Sequence, residues 1–258
     1  MNRNIELKKR MRSGTPTIGS WITLGHCGIA EIMASAGFDW LVVDLEHSTI
    51  SIDVAGDLIR TIDLCGVAPL VRLTSNEPNQ IKRVMDAGAH GIVVPMVNTK
   101  EDLERAVTAV RYAPQGNRGV GLARAQGYGE SFKEYLAWQK DESVVIAQIE
   151  HKDALSHLGE IFTAPGIDGF IIGPYDLSCS MGIPGEFDHP EFLAAMALIV
   201  DAGVKYGCPS GLHIVEPDDN RLKQCLQEGY QFLAYSVDIR IIGAGVKQGV
   251  KKFREAVL

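Results

Sequence analysis

Eight short apolar runs, each separated from the next by a longer amphipathic segment, dominate this sequence. Runs of this length and composition are typical of β-strands that are buried on both faces of a parallel sheet. The intervening segments carry apolar residues at helical spacing, as in residues 29–37. A strand–helix unit repeated eight times predicts an α/β fold, the (β/α)8 TIM barrel. The predicted strands are Thr17–Thr23, Trp40–Leu45, Ala68–Leu73, Gly91–Met96, Val144–Ile149, Gly169–Gly173, Ser210–Ile214 and Phe232–Ser236.

The length of 258 residues suits one barrel domain over residues 1–258, because such barrels need about 250 residues. No linker, low-complexity tract or charge block marks a second domain. An open doubly wound sheet is the alternative fold, and it usually carries a glycine-rich phosphate loop after its first strand. Residues 24–28 occupy that place and read LGHCG, which favours the barrel.

Two segments outside the strand pattern carry predictions of their own. Residues 1–10 are basic and predict a short, exposed first helix. Residues 98–143 contain a helix from Lys100 to Arg111 and then a glycine-rich stretch. Since long loops in compact domains are usually functional, we interpret that stretch as a mobile rim over the site.

The overall composition excludes several classes of function. A net charge of −7 without a basic stripe argues against nucleic acid as a partner. No run approaches the roughly 20 apolar residues that span a bilayer, so no membrane association is expected. Five scattered cysteines, an odd number without a CxxC pair, favour a reducing cytoplasm over a disulfide framework or a zinc–cysteine site.

Two acidic residues end neighbouring predicted strands. Glu150 follows the fifth strand, and Asp176 comes shortly after the sixth. Carboxyl ends of barrel strands meet at one rim, so the two carboxylates are expected to converge there. Oxygen ligands of this kind suit a hard divalent cation such as Mg²⁺ or Mn²⁺. The alternative is that each is an ordinary acidic residue at a helix N-terminus.

The second and third strands end in groups suited to acid–base and oxyanion chemistry. Asp44 lies three residues before His47, and a carboxylate that holds one imidazole nitrogen makes the other a better base. Arg72 interrupts an apolar strand. Its guanidinium would bind a substrate carboxylate or enolate, or else form a structural ion pair, with Glu46 as a candidate partner.

Ordered motifs along nearly the whole chain resemble the HpcH/HpaI aldolase family, the metal-dependent class II pyruvate aldolases. The matching segments are GFDW at residues 37–40, DLEH at 44–47, VPMV at 94–97, RGVG at 118–121, QIE at 148–150, GPYDLS at 173–178 and MG at 181–182.

The resemblance implies a (β/α)8 barrel with Mg²⁺, Mn²⁺ or Co²⁺ on Glu150 and Asp176. It also implies an acid–base pair of His47 with Asp44, and an Arg72 that steadies the keto oxygen and the enolate. It further suggests a homohexamer whose C-terminal helices are exchanged between subunits. We expect Trp21, Gly173, Pro174, Tyr175, Leu212 and Arg124 to line the substrate pocket together with Arg72. Residues 122–128, LARAQGY, depart from the family's usual run, which leaves the aldehyde-side specificity open.

The function expected from these residues is reversible retro-aldol cleavage of a 4-hydroxy-2-oxo acid to pyruvate and an aldehyde. No lysine lies convincingly at a strand end, which disfavours a Schiff-base aldolase. Oxaloacetate decarboxylation or a citrate-lyase-like cleavage would use the same enolate and is the first alternative. A non-catalytic barrel that binds a keto acid is the second.

Overall fold

A computed structural model describes Met1 and residues 6–257 of the protein and contains a closed barrel of eight parallel strands in sequence order. The predicted (β/α)8 fold is therefore confirmed, and every strand boundary lies within two residues of its prediction. The strands are β1 Thr17–Ile22, β2 Trp40–Asp44, β3 Ala68–Arg72, β4 Gly91–Val94, β5 Val144–Ile149, β6 Gly169–Ile172, β7 Ser210–Ile214 and β8 Phe232–Val237.

Helices follow the strands and surround the barrel. Two 3₁₀ segments, Arg124–Gly129 and Lys152–Ser156, interrupt the connections after β4 and β5. The helices of the described part of the chain are α1 Leu7–Arg12, α2 Cys27–Ser35, α3 Ile52–Leu64, α4 Pro78–Ala87, α5 Lys100–Val110, α6 Phe132–Asp141, α7 Leu158–Phe162, α8 Pro174–Ser180, α9 Pro190–Tyr206, α10 Asp219–Gln227 and α11 Asp238–Ala256.

The interior of the barrel is filled with side chains rather than open. Trp40 and Phe232 stack with their ring centroids 3.9 Å apart. Gly19 lies against this pair, where a Cβ atom would come within 2.0 Å of the Trp40 ring. Gly19 is therefore required by the close approach of an indole, and any side chain there would displace the packed centre.

The first helix does not match its prediction, because α1 is buried rather than exposed. Leu7 and Met11 join the cluster inside the barrel. Lys8 Nζ donates to the Ser143 carbonyl and pairs with Asp168, each at 2.8 Å. Ser143 and Asp168 directly precede β5 and β6, so α1 closes the amino-terminal end of the barrel. The prediction was wrong because the basic residues of the segment hid the two apolar residues, Leu7 and Met11, whose spacing of four places them on one buried face of the helix.

The stretch between α5 and β5 also differs from its prediction as a mobile rim. It forms a 3₁₀ segment and α6, and it packs against the C-terminal ends of helices. The buried Arg118 guanidinium donates to the Val110 carbonyl at 3.0 Å and to the Tyr135 hydroxyl at 2.8 Å. Helix C-termini lie at the amino-terminal end of the barrel, opposite the strand ends. The stretch is therefore held at the amino-terminal end of the barrel and does not cover the predicted site at the carboxyl ends of the strands.

The last helix contributes little to the core of its own barrel. Within α11, Asp238 is the buried residue. A line of apolar side chains along α11 is left 43–67% exposed: Ile239, Ile242, Val246, Val250 and Phe253. Nowhere in Met1 and residues 6–257 does a helix have both the length and the apolar character needed to cross a membrane.

Candidate active site

A cavity of about 310 Å³ opens at the carboxyl ends of the strands, where barrel enzymes place their chemistry. Seven of the predicted site residues line it: Trp21, His47, Arg72, Gly173, Pro174, Tyr175 and Asp176. Gln148 and His213 complete its polar wall, with Ile171, Ile172 and Val215 as its apolar part. The sequence therefore identified most of this cavity.

Arg72 is held by two carboxylates and one aromatic face. Asp44 and Arg72 are opposite each other in the register of β2 and β3. Arg72 Nε and Nη2 donate to the two Asp44 oxygens at 2.8 and 2.6 Å, which is a bidentate pair. Glu46 Oε2 lies 3.3 Å from Nη1, and the guanidinium carbon sits 4.4 Å from the centre of the Trp21 ring. The side chain thus has one orientation, at the wall of the cavity.

This pairing determines the charge of Asp44. Burial alone would raise the pKa of this carboxyl, but the hydrogen bonds and charge of Arg72 outweigh burial and lower it. The backbone N–H groups of Glu46 and His47 add hydrogen bonds to Oδ1 at 3.0 and 3.3 Å. Asp44 is therefore an anion that orients Arg72 and the turn after β2.

The imidazole of His47 is not brought to Asp44 in this structure. Only the backbone N–H of His47 contacts that carboxylate. The ring is 62% exposed at the cavity mouth, and its Nε2 is 3.7 Å from Glu46 Oε2. The expected Asp44–imidazole contact is not formed in the described part of the chain, where Arg72 donates to both Asp44 oxygens.

Glu46 is a polar group that the sequence offered only as a structural partner of Arg72. Burial raises its pKa to about 7, and the charges of Glu150, Asp44 and Asp176 act in the same direction against Arg72. Glu46 therefore lies in one region of negative potential together with Asp44, Glu150 and Asp176. A cation placed among them would relieve the mutual repulsion.

Glu150 lies at the base of this region and is 3% exposed. Its Oε1 accepts the Met96 N–H at 2.7 Å, and its Oε2 accepts a hydrogen bond from the Gln148 amide. Burial raises the pKa of Glu150, with the nearby Asp176 charge adding to the rise and these two hydrogen bonds opposing it. The carboxylate is thus fixed in position but incompletely compensated.

The loop after β6 brings Asp176 and a close backbone segment to the same place. Asp176 lies in the first turn of α8, which begins with Pro174. Gly173 leaves space that Glu150 uses, because a Cβ on Gly173 would lie 2.8 Å from Glu150 Oε2. Tyr175 is exposed at the outer edge of the cavity, where its ring meets Phe187 edge-on at 4.9 Å.

Two predicted substrate contacts lie elsewhere. Leu212 belongs to the layer between the sheet and the helices, so its neighbour His213 faces the cavity in its place. Arg124 pairs with buried Asp63 and donates to the Ala87 carbonyl at 3.2 Å. Since α3 and α4 end there, Arg124 lies at the amino-terminal end of the barrel. Its assignment to the cavity of its own chain is therefore corrected.

Three polar residues of the site were missed or undervalued in the sequence. Gln148 lies two residues before Glu150, and the two-residue period of a strand places both side chains on one face. The sequence could therefore have identified Gln148 as a site residue. Glu46 shares a face with Asp44 by the same rule. His213 lies on β7, and no sequence signal indicates which face of that strand it occupies.

Comparisons with known proteins agree along nearly the full chain. The sequence profile of the HpcH/HpaI aldolase/citrate lyase family matches residues 17–243. A hydroxypyruvate/pyruvate aldolase from Sagittula stellata is 38% identical over 91% of this chain and 92% of that protein. A 4-hydroxy-2-oxo-heptane-1,7-dioate aldolase from Salmonella paratyphi C is 37% identical over 95% of this chain and 93% of that protein. The crystal structure of a family protein from Burkholderia cenocepacia covers 97% of this chain and all of its own, with a TM-score of 0.91 and 31% identity.

Proposed function

Since the chain belongs to the HpcH/HpaI aldolase/citrate lyase family, we propose that it cleaves a 4-hydroxy-2-oxo acid reversibly to pyruvate and an aldehyde with the help of a divalent metal ion. The single observation that carries this proposal is that the oriented guanidinium of Arg72 and the carboxylate of Asp176 line the same cavity. Glu150 packs against Gly173, which also lines that cavity. The names of the similar aldolases give the substrate class.

The residues at this rim fit a hard divalent cation. Among the described residues no three His, Cys, Asp or Glu side chains form a ready-made metal cluster. Mg²⁺, however, commonly binds one or two carboxylates and fills its remaining positions with water and substrate oxygens. Glu150 and Asp176 offer that pair, and a cation beside Glu150 would offset the burial that raises the pKa of this carboxyl. We propose these two carboxylates as the ligands of Mg²⁺, Mn²⁺ or Co²⁺.

Arg72 has the chemistry needed for the developing negative charge. Breaking the C3–C4 bond leaves the electron pair on the pyruvate unit, where it delocalises onto the C2 oxygen as an enolate. A bound divalent ion supplies Lewis-acid stabilisation of that charge. The pre-oriented guanidinium adds hydrogen-bond donors that need no reorganisation during the reaction. Asp44, Glu46 and Trp21 hold the orientation.

His47 is our candidate for the proton transfers. In the cleavage direction a base takes the proton of the C4 hydroxyl, the C3–C4 bond breaks, and the aldehyde leaves with a new C=O bond. The same group can then return the proton to C3 of the enolate, which gives pyruvate. An imidazole can accept and donate a proton, and the His47 ring lies exposed at the cavity mouth.

Exchange of the pyruvate methyl protons with deuterium oxide tests this proposal without knowledge of the aldehyde. We expect Mn²⁺-dependent exchange, abolished by chelation and restored by metal. Glu150→Gln and Asp176→Asn should lower Mn²⁺ affinity by about tenfold or more and the exchange rate by at least as much. Asp153→Asn, at an exposed carboxylate, is the matched control. Full exchange in a chelated, metal-stripped protein would disprove the proposal, as would borohydride trapping of pyruvate on a lysine.

Comparing the turnover of two substrates separates the aldolase from its nearest alternative, an oxaloacetate decarboxylase. Oxaloacetate decarboxylation would pass through the same enolate but release carbon dioxide. A 4-hydroxy-2-oxo acid turned over faster than oxaloacetate supports the aldolase. The reverse order would identify a decarboxylase.

We further propose a homohexamer in which α11 packs on a neighbouring subunit. The exposed apolar line of α11 carries basic residues beside it, including Lys247 and Lys251. A groove of about 820 Å³ between α9 and α10 offers apolar walls with an acidic rim of Asp188, Glu216, Asp218 and Glu228. The fit in charge and polarity supports exchange of this helix between copies. Light scattering of Val246→Glu should show a smaller assembly than the wild type or the control Leu64→Glu, which makes the same kind of change at a 76% exposed residue of α3.

All five cysteines are free thiols in the structure. This supports a reducing compartment, and we propose the cytoplasm.

A further inference from the structure

His213 is a cavity residue to which the proposed mechanism gives no role. It lies on β7, and its ring centre is 5.3 Å from that of Trp21. Trp21 also contacts Arg72, whose guanidinium carbon lies 4.4 Å from the indole centre. His213, Trp21 and Arg72 therefore form one continuous wall of the cavity.

One ring nitrogen of His213 is fixed by the backbone. Nε2 lies 3.1 Å from the Ser236 carbonyl oxygen, and Ser20 Oγ donates to the same oxygen at 3.2 Å. The register between β1 and β8 shifts between Gly19 and Trp21, which marks a bulge, and Ser236 has φ of 56°. This irregular backbone directs the carbonyl towards His213.

The carbonyl decides the tautomer of the imidazole. A carbonyl oxygen only accepts hydrogen bonds, so Nε2 must carry the proton and Nδ1 must present its lone pair. Within the described part of the chain no group donates to Nδ1. Burial lowers the pKa of His213 to about 4, and the charge of Arg72 acts in the same direction. The ring therefore stays neutral in the physiological range.

We propose that His213 Nδ1 accepts a hydrogen bond from a hydroxyl group of the substrate and thereby selects hydroxylated over unsubstituted reactants. The inference rests on the proposed aldolase function. Two hydroxyl groups qualify by their place beside the reacting carbons: one on C3 of the 2-oxo acid, as in hydroxypyruvate, and one on the α-carbon of the aldehyde, as in glycolaldehyde. In both cases the partner is a donor, which a neutral imidazole acceptor requires.

Selectivity measured in two arms tests this role. One arm compares kcat/KM for hydroxypyruvate and pyruvate with acetaldehyde as the fixed acceptor. The other compares glycolaldehyde and acetaldehyde with pyruvate as the fixed donor. His213→Leu should lower the preference for the hydroxylated reactant by roughly three- to tenfold in one arm, the value of one neutral hydrogen bond. His213→Asn can place its amide oxygen near the Nδ1 position and should keep most of the preference.

The failure of this inference is distinguishable from failure of the proposed function. If wild type and both variants exchange the pyruvate methyl protons but both selectivity ratios stay unchanged in His213→Leu, the role of His213 is disproved and the aldolase stands. If the wild type shows no exchange, the aldolase function fails. Imidazole ¹⁵N NMR then still tests the inference, because the Nε2–H neutral tautomer is expected from about pH 6 to 8. A protonated ring, an Nδ1–H tautomer or no response of Nδ1 to hydroxypyruvate and glycolaldehyde would overturn it.

Discussion

Asp44 and Arg72 are paired by the register of β2 and β3, with both Asp44 oxygens engaged by Nε and Nη2 of Arg72 at 2.8 and 2.6 Å. Two consequences follow for the site. The guanidinium has a fixed orientation before substrate arrives, and His47 contacts Asp44 through its backbone N–H rather than through its imidazole. Asp44 acts on the reaction through Arg72 in this arrangement.

Asp44→Asn should therefore disable catalysis by releasing Arg72. An amide cannot accept two charge-assisted hydrogen bonds from the guanidinium, so we expect the pyruvate exchange rate to fall by about a hundredfold, comparable to losing an oxyanion donor. A double-mutant cycle identifies the partner. Asp44→Asn and Arg72→Lys should be strongly non-additive, whereas Asp44→Asn and His47→Gln should be close to additive. The opposite pattern would restore the Asp44–His47 pair expected from the sequence.

The strand ends could be read from the sequence because short apolar runs alternate with amphipathic segments, and several of the runs have charged residues at or just beyond their ends. Glu150, Asp176 and His47 were identified because they follow their strands, and Arg72 because its charge interrupts an apolar strand. Which face a residue of β7 takes could not be read, since both faces of a barrel strand are buried and SGLHI shows no alternation. Leu212 was expected to line the substrate pocket, whereas His213 lines the cavity.

Side-chain partners are the other part that the sequence did not reveal. The Asp44–Arg72 pair joins residues 28 apart, and the Arg124–Asp63 pair joins residues 61 apart. Arg124 lies in a glycine-rich stretch that resembled a substrate loop. Its partner Asp63 lies near the end of α3, at the amino-terminal end of the barrel, and nothing in the sequence indicates that contact.

Gly173→Ala should weaken metal binding without unfolding the barrel. Gly173 has φ of −97°, which alanine adopts readily, so the effect is steric. The new Cβ would lie 2.8 Å from Glu150 Oε2 and 2.9 Å from Glu150 Cβ and must displace that carboxylate. We expect Mn²⁺ affinity to fall by about tenfold, the scale of a disturbed ligand orientation. Calorimetric titration measures it, with Gly56→Ala in α3 as the control because nothing lies within 4 Å of a Cβ there. Unchanged affinity would remove Glu150 from the ligand set.

Arg124→Met should cost stability and leave activity intact. Asp63 is 1% exposed, and removing a partner from a buried charge typically costs about 3–5 kcal/mol, reduced here because His90 Nε2 remains 3.1 Å away. Urea unfolding of the whole protein measures the loss. Arg105→Met breaks an exposed pair with Glu77 and should cost no more than about 1 kcal/mol. If Arg124→Met instead lowered kcat/KM at full stability, Arg124 would belong to a substrate site. Its assignment to a structural role at the amino-terminal end of the barrel would then be wrong.

His213 should make the folded state sensitive to acid. Its pKa is about 4 in the folded protein against 6.5 ordinarily, so between these values the unfolded chain binds a proton that the folded chain excludes. The free energy of unfolding must then fall as the pH drops below 6.5, and the loss is complete below 4. Between about pH 7.5 and 5 this one group should remove about 2 kcal/mol. Unfolding curves of wild type and His213→Asn at both pH values isolate it, because Asp44, Arg72 and the other charged groups are common to both proteins. The wild type should lose the extra stability on acidification, and parallel losses in the two proteins would show that the imidazole is not held neutral.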